Sequence, residues 1–268
     1  MALPSPASDS TALVTGASSG IGAEIARELA KRGHGVTLVA RREERLRDLA
    51  AELTKEHGVR AEVIGADLVD SEGRDSMAAR VDELGLEVVA LVNNAGFGGG
   101  GKLKNADRDY LVRMVQLNCE VVVDLQSRYL PQMLERGSGA IVNVASTAAF
   151  QPLPGTAVYA ATKAFVLSLS EAAHAELKGT GVSVTALCPG PVKTEFLQAS
   201  SLDEAADNVP GLFWTPVETV AGDAIDGVEN GKRVVVPGML NRAGAMTGQH
   251  APRAVALPII QRIWSRAT

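Results

Sequence analysis

A tyrosine and a lysine four positions apart, Tyr159 and Lys163, have a spacing suited to proton transfer. Residues i and i+4 share one face of a helix, so both side chains are expected to point into the same cleft. A free tyrosine has a pKa near ~10, and a neighbouring ammonium group stabilises the phenolate and lowers that pKa. Ser146 stands at the end of a predicted strand, where its hydroxyl could bind an oxygen that develops charge. The three residues indicate acid–base chemistry at a carbonyl or alcohol oxygen.

The segment TGASSGIG, residues 15–22, joins the first predicted strand to the first predicted helix. Glycines allow a tight turn close to a pyrophosphate, and the helix N-terminus then presents free N–H groups and a partial positive charge. A glycine-rich turn can also be a tight connection and nothing more, but its place at this junction favours a dinucleotide site. The residues predicted to contact the cofactor here are Gly16, Ser18, Ser19, Gly20, Ile21 and Gly22.

The end of the second predicted strand favours NADPH over NADH as the cofactor. A NAD site usually has an acidic residue about 20 positions after the glycines, where it binds the ribose 2′-hydroxyl. Here the chain reads Ala40-Arg41-Arg42, and two guanidinium groups suit a 2′-phosphate in charge and in geometry. The alternative is that Arg42 only begins a solvated helix face with Glu43 and Glu44.

The elements that position these residues alternate between short β-branched runs and longer amphipathic segments. The predicted strands are 12–15, 35–40, 60–66, 88–92, 140–145, 182–187 and 233–236. The predicted helices are 21–32, 42–57, 71–84, 107–135, 159–178 and 218–229. Continuous apolar strands between helices imply a parallel sheet covered on both faces, and right-handed crossovers make it doubly wound. The predicted fold class is therefore α/β, a Rossmann-type doubly wound sheet.

A single domain is expected over residues 1–268, because the chain contains no internal repeat and no obvious linker. Its nucleotide-binding core would cover about residues 11–193. The irregular stretch that follows, about 194–216, is longer than an ordinary connection and is a candidate substrate lid. The tail, about 237–268, includes an apolar run at 254–264 that is expected to pack against its own domain or a neighbouring subunit.

Composition and charge argue against several other classes. The net charge is −5 and no Lys/Arg run offers a phosphate-binding stripe, so nucleic acid is not an expected partner. No apolar run approaches ~20 residues and the N-terminus has no secretory signal, so we expect no membrane span and a cytoplasmic location. Cys119 and Cys188 sit in apolar contexts and are expected to be buried thiols.

The histidines offer no alternative chemistry. They are scattered along the chain without a cysteine or carboxylate cluster at ligand spacing, so no metal site is expected. Surface or turn positions are expected for His34, His57, His174 and His250. Ser146 has no nearby histidine and no elbow glycines, which argues against nucleophilic hydrolysis.

Together these motifs resemble the short-chain dehydrogenase/reductase family over about residues 11–236. The matching positions are residues 15–22, Asp67-Leu68, Asn93-Asn94-Ala95-Gly96, Asn118, Ser146, Tyr159, Lys163 and the segment PGPVKT at 189–194. The arginines after the second strand resemble the branch that contains ketoacyl reductases and NADPH-linked ketosteroid-type reductases.

The resemblance implies a role for each catalytic residue. Tyr159 would be the general acid in reduction, Lys163 would bind the nicotinamide ribose, and Ser146 would orient the substrate carbonyl. Asn118 would hold a water that links Lys163 to solvent. Because Asn is a poor helix former, a capped or kinked helix interior is the alternative for Asn118.

The resemblance also implies further cofactor contacts and an oligomer. Besides Tyr159 and Lys163, the implied contacts are Asp67 and Leu68 at the adenine, Asn93, Ala95 and Gly96 along the cofactor, and Pro189, Gly190, Val192 and Thr194 beside the nicotinamide and its phosphate. A homodimer or homotetramer would form through the helices 107–135 and 159–178. Their apolar residues are equally compatible with burial inside one subunit.

The function predicted from these residues is reduction of a ketone or 3-ketoacyl group by NADPH, within the class of oxidoreductases that act on CH–OH and C=O groups. Apolar residues of the irregular stretch are consistent with a bulky hydrophobic or acyl substrate, or with simple packing of a lid onto the core. Two alternatives stay open: an alcohol dehydrogenase working in the oxidative direction, and a non-catalytic nucleotide-binding or redox-sensing module of the same fold.

Overall fold

Strands and helices alternate along the chain in the computed structural model, which describes residues 3–200, 209–254, 257–258 and 261. The strands are β1 (Ser10–Thr15), β2 (Val36–Ala40), β3 (Ala61–Gly65), β4 (Glu87–Asn93), β5 (Gly139–Val144), β6 (Val182–Leu187) and β7 (Val234–Val235). The helices are α1 (Gly20–Lys31), α2 (Glu43–His57), α3 (Ser71–Glu83), α4 (Arg108–Val115), α5 (Val121–Arg136), α6 (Ala157–Glu176), α7 (Glu195–Ala199), α8 (Val217–Glu229) and α9 (Met239–His250).

All seven of these strands pair in parallel and form one sheet in the order β3-β2-β1-β4-β5-β6-β7. The chain begins at the centre of the sheet, runs outward to β3, and returns to the other side of β1 at β4. The carboxyl ends of β1 and β4 therefore flank the point where the winding direction reverses, which is the usual ligand-binding crevice of such sheets. The Rossmann-type doubly wound fold predicted from the sequence is confirmed.

Alternate residues of the strands pack against helices on opposite faces of the sheet. On one face Val14 packs with Ile25 and Leu29 of α1, together with α2 and α8. On the other face Leu13 packs with residues that include Leu125 of α5, together with α3 and α6. Burial on both sides explains why the strands are continuously apolar and do not alternate with polar residues.

The helix predicted over 107–135 is the main departure from the expected elements. It is divided into α4 and α5 by one π-helical turn, Gln116–Glu120. Two further helices, α7 in the candidate lid and α9 in the tail, were not predicted. Residues 201–208 of that lid, and most of the apolar run at 254–264, lie outside the described residues.

Histidine positions differ in part from expectation. His34 follows α1 in a turn but is buried, and burial lowers its pKa. His174 is partly buried and its Nδ1 lies 2.8 Å from the carbonyl oxygen of Val184. Cys188 is buried as expected, whereas Cys119 is only partly buried.

Within the described residues, no helix is long and apolar enough to cross a membrane. No group of three or more His, Cys, Asp or Glu side chains capable of holding a metal ion occurs in that same part of the chain.

Candidate active site and nucleotide cleft

A cleft of about 940 Å³ runs along the carboxyl ends of the strands, across the point where the sheet order reverses. Its volume is of the size that proteins use for cofactors and small ligands. One end is formed by the glycine-rich segment and the end of β2, and the other by the residues after β5, the start of α6 and the segment 189–197. The predicted phosphate loop therefore shares one cavity with Ser146, Tyr159 and Lys163.

The phosphate loop is held in place by Asn94, which belongs to the matched segment 93–96 but was not predicted as a site residue. Its Nδ2 donates to the carbonyl oxygens of Thr15 and Gly16 at 2.9 and 3.2 Å. A Cβ added to Gly16 would lie 2.8 Å from Asn94 Nδ2, and one added to Gly22 would lie 2.4 Å from it. Glycine at these positions therefore allows the close contact between the loop and the end of β4. Gly22 is buried beneath the loop and does not line the cleft.

The two arginines after β2 are arranged differently from each other. Arg41 is largely exposed, with its guanidinium 4.0 Å from the carboxylate of Asp67. Arg42 turns back over the phosphate loop: its Nη2 donates to the hydroxyls of Ser18 and Ser19 at 3.0 and 2.8 Å. Arg42 does begin the helix α2, but its side chain faces the cleft, so the alternative of a purely solvated helix face is wrong.

Glu195, the first residue of α7, lies on the opposite side of the cleft and pairs with Arg42 and Arg45. Its carboxylate accepts from Nη1 of Arg42 at 2.8 Å and from Nη1 of Arg45 at 2.6 Å. Hydrogen bonds from these two guanidinium groups lower the pKa of Glu195 to about 2. The sequence carries no signal of this contact, because Glu195 is 153 residues from Arg42 and 150 from Arg45.

The three residues predicted to carry the chemistry come together at the other end of the cleft. Ser146 follows β5 in extended backbone, and its hydroxyl accepts from the backbone N–H of Ala148 at 3.1 Å. Tyr159 and Lys163 lie in the first two turns of α6 and both line the cleft. The Nζ of Lys163 lies 5.8 Å from the centre of the Tyr159 ring.

The electrostatics of Tyr159 differ from the expected effect of a neighbouring ammonium. Burial raises the pKa of Tyr159 to about 12, while the nearby Ser146 hydroxyl lowers it in part. Burial also lowers the pKa of Lys163 to about 8, and its Nζ donates to the carbonyl oxygen of Val144 at 2.8 Å. The pKa of Tyr159 therefore lies above its usual value, and not below it as the spacing predicted. Desolvation is the largest cause of both shifts.

Asn118 lies in the π-helical turn between α4 and α5 and is almost fully buried. Its Nδ2 donates to the carbonyl oxygen of Phe97 at 2.9 Å and to Thr162 Oγ1 at 3.1 Å. Its Oδ1 accepts from the backbone N–H of Phe97 at 3.1 Å. The sequence predicted an irregular helix at this asparagine, and the structure has a widened π-helical turn there. Such turns often occur at functional sites. Asn118 lies behind the cleft wall and does not line it.

Most of the other predicted cofactor contacts do line the cleft. They are Gly16, Ser18, Ser19, Gly20, Ile21, Asp67, Leu68, Ala95, Gly96, Pro189, Gly190, Val192 and Thr194. Asn93 is an exception: it is buried, and its Nδ2 donates to Asn143 Oδ1 at 2.9 Å within the sheet. Asn93 thus lies in the central sheet and does not line the cleft, and its implied contact with the cofactor stays a prediction. The strand alternates its faces, so the next residue, Asn94, faces the cleft instead.

Aromatic and apolar side chains surround the catalytic end. The rings of Tyr159 and Phe196 pack 5.7 Å apart, and Nζ of Lys193 lies 5.6 Å from the centre of the Trp214 ring. Phe213 and Leu153 also line this part of the cleft. The apolar residues of the expected lid therefore face the cavity in part, while Leu212 is largely exposed.

The glycine run 98–101 supports this wall. Gly98 N–H donates to Ser200 Oγ at 3.1 Å, and Gly100 N–H donates to the carbonyl oxygen of Ser200 at 3.2 Å. A Cβ on Gly98 would lie 2.9 Å from Phe196 Cζ. The absence of a side chain at Gly98 therefore lets Phe196 lie close to the loop that follows β4.

The fold agrees with comparisons to known proteins. A family model described as "short chain dehydrogenase" matches residues 10–205. A putative ketoacyl reductase of Streptomyces coelicolor is 42% identical over 185 residues, which cover 68% of this chain and 70% of the relative. The chain belongs to the short-chain dehydrogenase/reductase family. It is accordingly an oxidoreductase that acts on CH–OH and C=O groups.

Solved structures of this family match most of the chain. A short-chain dehydrogenase from Sphingobium yanoikuyae in complex with NADPH is 35% identical, with a TM-score of 0.80 over 89% of this chain and 92% of that one. A bulky-bulky ketone specific alcohol dehydrogenase from Comamonas testosteroni is 31% identical, with a TM-score of 0.74 over 92% of this chain and 96% of that one.

The residues present fit a nicotinamide dinucleotide. Gly16 and Gly20 line the cleft, and without side chains they leave the loop backbone open to a pyrophosphate group. Positive φ values at Gly16 and Gly20 turn the backbone into the N-terminus of α1. Leu68 and Asp67 border the cleft on the side of β3, and Lys163 and Tyr159 border it on the side of α6.

Proposed function

We propose that this protein is an NADPH-dependent carbonyl reductase that acts on a ketone or 3-ketoacyl group. The observation that carries the proposal is the meeting of Ser146, Tyr159 and Lys163 at one end of a single cleft, with Arg42 over the phosphate loop at the other. When bound, the nicotinamide supplies the hydride that reduces the carbonyl carbon.

Each of the three residues has a defined task at the reacting oxygen. The Tyr159 hydroxyl donates its proton to the substrate oxygen as the carbonyl is reduced, and takes a proton back in the reverse reaction. The Ser146 hydroxyl donates a hydrogen bond to the same oxygen and stabilises its developing charge. The N–H of Ala148 donates to Ser146 Oγ and helps to fix the hydroxyl, which would turn its own proton toward the substrate oxygen.

Lys163 and Asn118 support this proton transfer. The Lys163 ammonium is held by the carbonyl oxygen of Val144 behind the tyrosine, where it stabilises the phenolate left after proton donation. It would also bind the nicotinamide ribose, as the family resemblance implies. Asn118 fixes Phe97 and, through Thr162, the first turns of α6. One lone pair of its Oδ1 remains available for the water that we propose links Lys163 to solvent.

The choice of NADPH rests on the arginines at the end of β2. Arg42 reaches the phosphate loop, Arg41 lines the same part of the cleft, and no carboxylate follows the strand directly to bind a 2′-hydroxyl. The NADPH complex of the Sphingobium yanoikuyae relative supports this choice. The apolar wall of Phe196, Phe213 and Trp214 supports a hydrophobic substrate, as do relatives that act on ketoacyl groups and bulky ketones.

A substrate panel with a matched pair of variants tests the proposal. Oxidation of NADPH is followed with acyl thioesters, steroids and small ketones for the wild type, Tyr159→Phe and Tyr129→Phe. Tyr129 is buried, and its hydroxyl has no hydrogen-bond partner among the described residues, so its loss makes the same chemical change away from the cleft. We expect Tyr159→Phe to lower kcat by about 10²- to 10⁴-fold with NADPH binding unchanged, and Tyr129→Phe to stay active.

Three outcomes would reject parts of this function. If no carbonyl substrate turns over while NADPH binds normally, the non-catalytic alternative gains support. If turnover occurs only from alcohol to ketone with NADP⁺, the enzyme works in the oxidative direction. Equal kcat/KM values with NADPH and NADH would overturn the cofactor preference alone.

We also propose that the protein assembles as a homodimer or homotetramer through α4, α5 and α6. Val112, Val115, Val123 and Phe165 on these helices are each at least 40% exposed. Side chains of this size are usually covered when they cluster. Light scattering after size-exclusion chromatography measures the assembly directly. The cytoplasmic location and the single-domain bounds stay predictions.

A further inference from the structure

An ion-pair bridge spans the mouth of the cleft at its phosphate end. Glu195 of α7 accepts hydrogen bonds from Arg42 and from Arg45, which belong to the start of α2. Arg42 bonds at the same time to Ser18 and Ser19 of the phosphate loop. The carboxylate therefore connects the two walls of the cofactor cleft through side chains that are about half exposed.

The bridge occupies the groups that a 2′-phosphate would use. The Nε and Nη2 atoms of Arg42 bond to serine hydroxyls and its Nη1 bonds to Glu195, so all three nitrogens have partners. A ribose 2′-phosphate brings close to two negative charges to this guanidinium. A carboxylate that is ionised throughout the neutral range repels that phosphate and competes for the same donors.

Glu195 also belongs to the element that shapes the substrate end of the cleft. The next residue, Phe196, packs on the ring of Tyr159. Ser200, directly after α7, bonds to Gly98 and Gly100 in the loop that follows β4. A movement of Glu195 is thus transmitted within one short helix to the residues beside the proton donor.

We propose that Glu195 is a carboxylate latch on the cofactor site, and that the 2′-phosphate of the cofactor displaces it from Arg42 and loosens α7. This inference rests on the proposed preference for NADPH. A cofactor without the 2′-phosphate leaves the bridge closed. The latch lowers affinity for the 2′-phosphate and couples its binding to the position of Phe196.

The exposure of the bridge fits an exchangeable contact. Ion pairs between half-exposed side chains contribute little net free energy, because water solvates the separated charges well. A phosphate offers more acceptor oxygens and more charge to the same guanidinium than a carboxylate does. The exchange therefore favours the phosphate once the cofactor is held by the loop and the strand ends.

Two nucleotide fragments separate this effect from the rest of the cofactor. Adenosine 2′,5′-bisphosphate carries the 2′-phosphate, adenosine 5′-monophosphate lacks it, and neither carries the nicotinamide that would reach Tyr159. Their dissociation constants are measured by calorimetry for the wild type, Glu195→Gln and Glu24→Gln. Glu24 is the matched control, because it lies near the same loop but pairs with Arg27.

We expect Glu195→Gln to tighten binding of the bisphosphate by roughly three- to ten-fold and to change binding of the monophosphate by less than about two-fold. Glu24→Gln should leave the ratio of the two dissociation constants unchanged. Unchanged or weaker binding of the bisphosphate by Glu195→Gln would overturn the latch. A wild type that binds both fragments equally would instead overturn the preference for NADPH.

Hydrogen exchange provides a second measurement on the wild-type protein. The bisphosphate should increase exchange of backbone amides in residues 196–200, while the monophosphate should not. If both fragments leave exchange at these amides unchanged, the coupling between the 2′-phosphate and α7 is wrong even where the affinities change. Glu195→Gln alone should show the faster exchange without any fragment.

Discussion

The two ends of the cleft are held together in different ways. At the catalytic end, Lys163 is buried and bonds to the backbone of β5, and Asn118 is buried and bonds to the backbone of Phe97. At the phosphate end, Arg42, Arg45 and Glu195 are about half exposed and bond to one another through side chains.

This difference separates two requirements of one enzyme. Proton transfer needs donors that are already in place when the substrate arrives, and buried contacts to backbone atoms fix their positions. Cofactor binding needs groups that exchange partners, and exposed side chains can do so at small cost in free energy. Substitutions at the catalytic end should therefore abolish the reaction, and those at the phosphate end should mainly change which nucleotide binds.

After Tyr159→Phe, the largest effect is expected for Lys163→Met at the buried end. The variant removes the charge behind Tyr159, and we expect kcat to fall by at least about 100-fold in NADPH oxidation assays. Lys178→Met is the control, because Lys178 is an exposed lysine just beyond α6. A Lys163→Met enzyme with more than a tenth of wild-type kcat would show that the buried charge is not needed.

The same variant should change stability in a manner that depends on pH. Burial lowers the pKa of Lys163 to about 8 from 10.5, so the folded protein binds fewer protons than the unfolded chain between these values. Stability of the wild type should rise with pH across this window, and the cost of the buried charge is fully present below pH 8. At pH 7 we expect the free energy of unfolding of Lys163→Met to exceed that of the wild type by about 1–2 kcal/mol. Calorimetry should show no such difference near pH 10.5.

A smaller effect is expected for Arg42→Gln at the exposed end. Loss of a charged donor to the 2′-phosphate should weaken NADPH binding by about 10- to 100-fold, with NADH binding little changed. Arg41→Gln is the comparison, and we expect a weaker effect because its side chain does not reach the phosphate loop. Fluorescence titration with both nucleotides measures this, and an equal loss for NADH would show that Arg42 acts on the loop and not on the 2′-phosphate.

The smallest effect is expected between the two ends, at Gly98. An added methyl group would lie 2.9 Å from Phe196 and 3.1 Å from Ser200 Oγ, so Gly98→Ala should shift the wall beside Tyr159. We expect KM for a carbonyl substrate to rise by about five- to ten-fold and stability to fall by about 1–2 kcal/mol. Gly222→Ala is the control, because its added methyl group meets open space. We expect this variant to gain about 0.5–1 kcal/mol in stability, since alanine favours a helix more than glycine does. An unchanged KM for Gly98→Ala would separate the glycine run from substrate binding.

Much of the fold was predictable because it depends on local patterns. Apolar runs between amphipathic segments predicted every strand of the sheet, and the order of elements predicted the doubly wound topology. The meeting of Ser146 with Tyr159 and Lys163 was also predictable. A strand end and the following helix must lie together at the carboxyl edge of a parallel sheet.

What the sequence did not predict depends on contacts between distant residues. Nothing near Glu195 indicates that it meets Arg42 and Arg45 across the cleft. The raised pKa of Tyr159 depends on how deeply it is buried, which spacing in a helix cannot supply. The position of Asn94 could have been predicted, because successive strand residues point to opposite faces and Asn94 therefore faces away from Asn93.

The π-helical turn at Gln116–Glu120 constrains the number of residues in this part of the chain. A π turn contains one residue more than an α turn, so it rotates the helix before it by about 100° relative to the helix after it. This offset allows α5 to pack Leu125 into the core while Tyr110 of α4 reaches Gly98. Deletion of a single residue from this turn should regularise the helix and turn Tyr110 away from the glycine run. The number of residues in this segment is therefore constrained as well as the identity of the buried Asn118.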